Sequence, residues 1–398
     1  MAKLGTKGST WLPQEGFYNR AMQHSAGVSV STGAGPALQR LIRQSIARSG
    51  GWLPFDRFMA LALYAPGLGY YTNAGRKFGM LPQTGSDFVT APELSPLFGA
   101  ALARQLAQAL AASGTNEIWE FGAGSGALAA QLLGALGDSV VRYTIVDLSG
   151  VLRERQQQRL AALASKVRPK VRWVDELPAE LSGVIVGNEV LDAMPVQLLR
   201  FDGTQWHERG VVIEGEAFAW AERPTTRQPP SDTTFPPGAI TETHAQAEAF
   251  IATLADRLER GAAFFIDYGF PRTEYHHPQR LEGTLMCHRA HQADTDPLVD
   301  VGQKDITAHV DFTGIALAAQ DAGLDVIGYT SQAHFLINCG IVDLLNGADV
   351  PTSANTQKLL MEHEMGELFK VIGLAKNCDE QFSHEAIGFV HGDRTHTL

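Results

Sequence analysis

Cysteines, long apolar runs and clusters of basic residues are all scarce in this sequence. Three cysteines in 398 residues, widely spaced and odd in number, exclude a disulfide scaffold and a paired-cysteine metal knuckle. No apolar run reaches the roughly 18 residues of a membrane-spanning helix, so no membrane span is predicted. The formal net charge of −11, without a long basic run, argues against nucleic acid as a partner.

The amino-terminal region also lacks recognisable targeting signals. It contains neither the apolar core of a secretion signal nor the arginine-rich amphipathic pattern of a mitochondrial presequence. We therefore expect a cytoplasmic globular protein. Residues 1–35 are rich in glycine, serine and threonine, which predicts a mobile arm in front of the folded part of the chain.

The order of the predicted elements after residue 114 favours an α/β fold. Short apolar strands and longer amphipathic helices alternate over residues 118–121, 127–136, 142–147, 152–163, 171–174 and 183–187. This alternation implies parallel strands joined by right-handed crossovers, and therefore a doubly wound sheet with helices on both faces. Antiparallel strands are predicted over 197–220.

We expect a single domain over 36–398, with helical elaborations at both ends. Its parts are a helical region with a lid loop, a cofactor-binding core, and a region of sheet completion and carboxy-terminal helices, at 36–113, 114–270 and 271–398. The lid is predicted from loops rich in glycine, proline and tyrosine that lie outside the alternating pattern and often pack over a pocket.

A glycine-rich loop connects the first strand of the predicted core to its first helix. Gly122, Gly124 and Gly126 follow Glu120 in this loop. Glycines let the backbone approach a ligand closely, and the helix N-terminus behind them offers free N–H groups. Asp147, at the end of the next strand, is placed to bind a ribose hydroxyl. These residues predict a nucleoside-containing cofactor.

The identity of that cofactor is less definite from the loop alone. The glycine spacing also fits the dinucleotide fingerprint, so a nicotinamide or flavin cofactor is one alternative and a loop without a ligand is another. Glu120 favours a ligand with an ammonium group or a ribose and would repel a pyrophosphate. A third glycine after one intervening residue is typical of class I methyltransferases, whose ligand is S-adenosyl-L-methionine.

A second polar run, with Asn188, Glu189 and Asp192, follows the fourth predicted strand. The carboxyl ends of neighbouring parallel strands form the ligand crevice of an open sheet, so this run should lie beside the glycine loop. Paired carboxylates can bind a guanidinium group through two hydrogen bonds, whereas a neutral acceptor needs only one base. The alternative for Asn188 and Asp192 is that they cap a turn.

His309 is a further candidate because carboxylates lie close to it in the sequence. Asp311 is two residues away and Asp305 four, and a histidine beside a carboxylate makes a proton acceptor. The alternative is a hydrogen-bonded structural histidine. The remaining histidines lack the spacing of metal ligands, so no metal is predicted.

Several segments together resemble the MidA family of class I methyltransferases. In chain order they lie at 69–71, 87–93, 120–128, 188–195, 268–269, 305–312, 332–336 and 365–370. The resemblance covers roughly residues 36–390 and implies a Rossmann-like, seven-stranded mixed sheet with extra helices, and S-adenosyl-L-methionine as cofactor. Mitochondrial members of that family are protein arginine methyltransferases that modify a complex I subunit and act in complex I assembly.

The resemblance also implies roles for individual residues. The loop glycines would line the methionine end of the cofactor and Asp147 its ribose, while Asp87, Thr90 and Glu93 would close over the site. We predict methyl transfer to a protein arginine, with a complex I subunit as the target that the family suggests. Glu189 and Asp192 would orient the acceptor. A cofactor-binding assembly factor without catalysis is the alternative, and the oligomeric state is open, a homodimer included.

Overall fold

A computed structural model describes residues 34–73, 89–147, 149–161, 163, 170–230 and 233–398. Residues Gly33–Leu398 form one compact unit. Asp87 and almost all of the predicted arm lie outside the described residues. Among the described residues, none of the helices combines the length and the apolar character needed to cross a bilayer.

The strands of the described part belong to three sheets. In chain order they are β1 (Leu53–Pro54), β2 (Glu117–Phe121), β3 (Arg142–Val146), β4 (Val171–Val174), β5 (Leu181–Asn188), β6 (Gln197–Phe201), β7 (Trp206–Glu214), β8 (Ala217–Pro224), β9 (Ile240–Thr243), β10 (Leu258–Phe270), β11 (Met286–Arg289), β12 (Gln292–Asp294), β13 (Asp305–Thr307), β14 (Val310–Asp311), β15 (Asp325–Ser331) and β16 (Phe369–Lys376).

Helices lie between the strands and at both ends of the described part. In chain order they are α1 (Ala34–Arg48), α2 (Phe55–Tyr64), α3 (Ala91–Leu94), α4 (Pro96–Ser113), α5 (Ala127–Leu136), α6 (Gly150–Leu160), α7 (Ala245–Arg257), α8 (Arg272–Tyr275), α9 (Phe312–Asp321), α10 (Gln332–Asn338), α11 (Ile341–Leu345), α12 (Val350–Leu360) and α13 (Phe382–Glu385). One π-helical turn spans Glu362–Gly366.

The main sheet has the strand order β15-β16-β10-β5-β2-β3-β4. The five strands from β10 to β4 are parallel, and β16 runs antiparallel to both of its neighbours. This is the predicted seven-stranded mixed sheet, with β14 added beside β10 as a short eighth strand. The chain order reverses between β2 and β5, and ligands of such sheets bind at this switch point.

Helices cover both faces of the main sheet, as its strand sequences require. In β5, Val184 and Val186 face one apolar cluster with α4 and α5, whereas Ile185 faces another with α7 and α9. Successive side chains of a strand point to opposite faces, so a strand buried on both faces is apolar throughout. Each such fully buried side chain contributes about 2 kcal/mol to stability.

A second layer of structure was only partly predicted. Strands β1, β6, β7, β8 and β9 form an antiparallel sheet, of which 197–220 is the predicted portion, and β11 to β13 form a third sheet. Both sheets pack with α1 and α2 in a separate apolar cluster that includes Phe55, Phe58, Val211 and Ile306. These elements matter for function because residues of α2 and β13 line the cavity at the carboxyl ends of the main-sheet strands.

The contact between β5 and β10 depends on a glycine. A Cβ atom at Gly261 would lie 1.8 Å from the carbonyl oxygen of Gly183, and φ at Gly261 is +143°. We expect Gly261→Ala to lower the free energy of unfolding by ~3 kcal/mol or more, measured by urea denaturation. The matched control is Gly134→Ala in α5, where no described atom lies within 4 Å of a Cβ. This control should be neutral or stabilising by ~0.5–1 kcal/mol, and equal losses in both variants would contradict the explanation.

Candidate functional site

A cavity of about 610 Å³ lies at the carboxyl ends of β2, β3 and β5. This is the switch point of the main sheet, and the volume is within the usual range for small-molecule sites. The predicted site residues that line it are Thr90, Glu120, Gly122, Gly124, Asp147, Asn188, Glu189 and Asp192. The structure therefore brings the glycine loop and the two acidic strand ends together.

The glycine loop has a backbone conformation that other residues rarely adopt. The φ angles of Gly122, Gly124 and Gly126 are +63°, +51° and +80°. A Cβ at Gly122 would lie 2.8 Å from Cγ2 of Val190, so a side chain there would press on the opposite wall. Among the described residues Gly126 is not part of the cavity lining; it faces the neighbouring helix α6. Its predicted contact with the cofactor is therefore not supported.

Glu120 is a buried carboxyl group at the base of the cavity. It is 1% exposed, and its Oε2 accepts a hydrogen bond from the Tyr143 hydroxyl at 2.8 Å. Burial raises its pKa to about 8, although the Tyr143 hydrogen bond acts in the opposite direction. A positively charged ligand group beside Glu120 would favour the ionised carboxylate. The site is therefore suited to an ammonium group.

Asp147 is held in place by a hydrogen-bond network. Its Oδ1 accepts from the backbone N–H of Ser149 at 2.8 Å and its Oδ2 from Nε2 of Gln156 at 2.7 Å. The same Nε2 donates to the carbonyl of Gly124 at 3.1 Å, so Gln156 links the two ligand-binding loops. No sequence pattern singled out Gln156, because it is one of three consecutive glutamines in α6.

The lid residues that the structure describes have different roles. Thr90 precedes α3 and lines the cavity. Glu93 is turned towards α6, where its Oε1 accepts from Nη1 of Arg159 at 2.9 Å and from the Ser125 hydroxyl. It therefore fastens α3 to the glycine loop instead of lining the cavity.

The turn after β5 is fixed by a carboxylate that sequence reasoning missed. Oδ2 of Asp267, in β10, accepts backbone N–H groups of Val190, Leu191 and Asp192 at 3.0, 2.9 and 3.3 Å. Asp267 is 1% exposed. The preceding Glu189 has φ +55°, an uncommon conformation for a residue with a side chain. Asp267 could have been suspected only as an acidic residue inside an apolar strand.

Glu189 and Asp192 form an acidic pair at the inner end of the cavity. Burial, followed by the charge of Asp192, raises the pKa of Glu189 to about 8, and burial also raises the pKa of Asp192. Asp192 accepts from the Tyr268 hydroxyl, and Asn188 donates to Oε1 of Glu189 at 2.9 Å. No lysine or arginine in the described ranges forms an ion pair with either carboxylate.

Two hydrogen-bond acceptors at this acidic pair have no partner among the described residues. They are Oδ1 of Asn188 and Oδ1 of Asp192, both shielded from solvent. Their residues line the cavity and are 8% and 4% exposed. Buried acceptors of this kind are normally satisfied by a partner, so this part of the cavity wall suits a ligand with N–H or O–H donors.

The predicted proton acceptor His309 is not brought to the cavity in the described part of the chain, so its catalytic role stays a prediction without support from the geometry. Its ring stacks on Phe270 with 5.2 Å between ring centroids, and burial lowers its pKa to about 4. Asp311 caps α9 by accepting the N–H of Gly314 and forms an ion pair with Arg272 at 2.9 Å. Among the described residues neither His309 nor Asp311 lines the cavity. Asp311 therefore has a structural role, whereas the His309 ring packs against aromatic rings and its Nδ1 has no hydrogen-bond partner among the described residues.

Three cavity residues were not recognised as site residues from the sequence. Tyr64 ends α2, and its ring stacks on that of Tyr71 with centroids 5.6 Å apart. Tyr71 donates from its hydroxyl to Asp305, at 2.8 Å from each carboxylate oxygen. Tyr71 and Asp305 stood in segments that carried the family resemblance, at 69–71 and 305–312, whereas Tyr64 did not. Asp305 was otherwise noticed only as a neighbour of His309.

Comparisons with known proteins agree with this geometry. Residues 101–330 match the model of a family described as S-adenosyl-L-methionine-dependent methyltransferases. Protein arginine methyltransferase NDUFAF7, mitochondrial, of Danio rerio is 27% identical and covers 80% of this chain and 82% of its own. The mitochondrial NDUFAF7 homolog of Caenorhabditis elegans is 26% identical and covers 74% of each chain.

Two crystal structures from Burkholderia thailandensis are similar throughout. One, bound to S-adenosyl-homocysteine, is 50% identical, covers 94% of this chain and 100% of its own, and has a TM-score of 0.89. The other, a native structure, is 49% identical with the same coverage and a TM-score of 0.85. The predicted fold and cofactor are confirmed, and the nicotinamide and flavin alternatives are wrong.

The expected cytoplasmic location is contradicted by these relatives. Both NDUFAF7 proteins are named as mitochondrial. The absence of a recognisable presequence pattern was therefore a poor guide to location.

The acidic pair predicts a pH-dependent loss of stability. Because the pKa of Glu189 is raised from 4.5 to about 8, the folded chain binds the proton more tightly than the unfolded chain. The contribution of Glu189 to the free energy of unfolding is fully present below pH 4.5 and falls as the pH rises to about 8. Above that pH it is constant. Glu189→Gln cannot ionise, so we expect it to stabilise the protein by ~2 kcal/mol or more at pH 8.5 relative to wild type.

Thermal or urea unfolding of both proteins at pH 5 and pH 8.5 measures this difference. The control is Glu380→Gln, at an exposed position, which should show the same pH profile as wild type. A Glu189→Gln profile that falls with pH as steeply as that of wild type would contradict the explanation.

Proposed function

Because the chain belongs to the family of S-adenosyl-L-methionine-dependent methyltransferases, we propose that it methylates an arginine side chain of a protein. The observation that supports this acceptor is the pair of Glu189, which is partly buried, and Asp192, which is buried. Both carboxyl groups have raised pKa values, and neither has a cationic partner within the described ranges. The names of the NDUFAF7 relatives support the same acceptor.

The residues of the cavity fit the cofactor. The N-terminus of α5 with its glycine loop suits the carboxylate of the methionine portion, and Glu120 suits the ammonium. Asp147 has free lone pairs for the ribose hydroxyls, since each of its oxygens accepts one hydrogen bond within the chain. Gly122 keeps this wall of the cavity open. When bound, the cofactor supplies a methyl group attached to a positively charged sulfur.

The guanidinium of an arginine acceptor would balance the negative charges of Glu189 and Asp192. The guanidinium is always protonated and offers N–H groups in a planar array that matches carboxylates. A cation next to Glu189 and Asp192 lowers their pKa values and so favours their ionised forms. It also supplies donors for the unpaired oxygens of Asn188 and Asp192.

The carboxylates then have two tasks during transfer. Glu189 and Asp192 hold the nitrogens that do not react, which fixes the attacking nitrogen and localises positive charge away from it. The N–C bond forms as the C–S bond breaks, and the electron pair of the broken bond stays on sulfur. The methylated nitrogen loses one proton, which a carboxylate of the pair accepts. Tyr268, hydrogen-bonded to Asp192, keeps that carboxylate in position.

The target protein is a finer part of the same proposal. The resemblance to the MidA family supports a subunit of respiratory complex I as the substrate. A protein substrate must insert its arginine into the cavity, whose lining includes Tyr64, Tyr71 and Met194.

Cofactor binding gives a first test. Asp147→Ala removes the ribose acceptor, so we expect it to weaken S-adenosyl-homocysteine binding by ~10-fold or more in calorimetry. Asp138→Ala, at a fully exposed carboxylate, is the matched control and should bind as wild type does. Unchanged affinity in Asp147→Ala would contradict the role given to this residue.

The acceptor is tested by transfer of an isotope-labelled methyl group. Extract from cells that lack this protein is incubated with the purified enzyme and labelled cofactor, and the proteins are hydrolysed for amino-acid analysis. We expect label in methylarginine, and a loss of ~100-fold or more in Glu189→Gln. Glu189→Gln should still bind S-adenosyl-homocysteine. Label in methyllysine or in small molecules, or full turnover by Glu189→Gln, would contradict the proposal.

A further inference from the structure

The cavity contains a second acidic end, built from parts of the chain far from the first. Asp305, at the start of β13, is 3% exposed and lines the cavity that also holds Glu189 and Asp192. Its carboxylate accepts from the hydroxyl of Tyr71 at 2.8 Å to each oxygen. This contact joins residues 234 positions apart, so it depends on the tertiary fold.

Asp305 and Tyr71, here called the outer end, are connected by hydrogen bonds of neighbouring residues to the turn that carries Glu189 and Asp192, the inner end. The Tyr64 hydroxyl donates to the carbonyl of Ala193 at 2.9 Å, and the backbone N–H of Ala308 donates to the carbonyl of Asp192 at 3.0 Å. The stacked rings of Tyr64 and Tyr71 lie between these connections. The relative placement of the two acidic ends is therefore fixed before a ligand binds.

Unpaired polar atoms indicate that a donor-rich ligand occupies the space beside these acids. Oδ1 of Asn188 and Oδ1 of Asp192 belong to residues that are more than nine-tenths buried at the cavity wall, and neither atom accepts a hydrogen bond from the described part of the chain. The chain has thus arranged several oxygen acceptors around one space. A ligand that satisfies them all must carry N–H groups in more than one direction.

We propose that Asp305, positioned by Tyr71, is a specificity-determining residue that binds a second edge of the acceptor guanidinium. This inference rests on the proposed function and extends it. A guanidinium has five N–H groups in a fixed plane, so one edge can face Glu189 and Asp192 while another faces Asp305. A lysine ammonium is a compact point charge and does not offer two edges of N–H donors in one plane. The neutral ureido group of citrulline has the same shape as a guanidinium without the charge.

The test is binding of small acceptor probes to the full chain saturated with S-adenosyl-homocysteine. The probes are the N-acetyl methylamides of arginine, lysine and citrulline, measured by calorimetry or by ligand-observed NMR. We expect wild type to prefer the arginine probe over both others. Asp305→Asn should lower the affinity for the arginine probe by ~10-fold or more, since a charge-assisted bidentate contact is lost. Lysine binding should change less.

Two further variants make the result specific. Tyr71→Phe keeps the ring but removes the hydroxyl that holds Asp305, so it should weaken the arginine probe as well, by a smaller factor. Asp300→Asn is the matched carboxylate-to-amide control on the same segment, where Asp300 pairs with Arg289 at the surface, and it should behave as wild type. Affinity for S-adenosyl-homocysteine reports folding in each variant.

The outcomes separate this inference from the proposed function. If Asp305→Asn and Tyr71→Phe bind the arginine probe as wild type does while Glu189→Gln does not, the outer end has no part in specificity and the arginine acceptor stands. If wild type binds arginine no better than citrulline, the arginine acceptor itself is overturned, and this inference with it. If Asp305→Asn also loses affinity for S-adenosyl-homocysteine, its result cannot be interpreted and Tyr71→Phe becomes the deciding variant. Unchanged affinity of Tyr71→Phe for the arginine probe then overturns the inference.

Discussion

One buried carboxylate oxygen, Oδ2 of Asp267, determines the geometry of the acceptor end of the cavity. It accepts three consecutive backbone N–H groups of the turn after β5, at 2.9 to 3.3 Å. Left unpaired, each buried N–H would destabilise the fold by about 1–3 kcal/mol. The turn therefore closes around Asp267, which forces Glu189 into its left-handed conformation and directs Glu189 and Asp192 towards the cavity. Burial, followed by the charges of Asp192 and Glu189, raises the pKa of Asp267 well above its usual value.

The fold places the carboxyl groups of Glu120 and Glu189 where no cationic side chain of the described residues balances their negative charge. Glu120 is buried and Glu189 is partly buried, and the pKa of each is raised to about 8. Groups perturbed in this way cluster at functional sites because their ionised forms are completed by a ligand. In the proposed function, Glu120 would face the ammonium of the cofactor and Glu189 the acceptor cation. The ionised carboxylates of Glu120 and Glu189 are unfavourable in the protein without ligands. In the proposed function, the positive charges of the cofactor and of the acceptor would stabilise them.

Local sequence rules were sufficient to predict one half of the site. Strand, glycine loop and helix occur in order, and parallel strands end at one edge, so the sequence alone places Gly122, Asp147 and Glu189 together. Spacing misled at His309, because Asp311 two residues later caps the next helix and pairs with Arg272. Tyr64 and Asp305 could not be assigned, since no local pattern brings α2 and β13 to the cavity.

The two halves of the site are held by different kinds of interaction. The cofactor half belongs to the main sheet, whose parallel strands are joined by continuous backbone hydrogen bonds. The acceptor half combines the turn after β5 with residues of α2 and β13, which are joined to that turn by contacts that include Tyr64 to Ala193 and Ala308 to Asp192. Side chains on α2 and β13 lie in a separate apolar cluster, so substitutions there need not disturb the main sheet. Under the proposed function, substitutions on α2 and β13 can therefore change acceptor preference while the cofactor site stays intact, because those two elements pack in their own cluster.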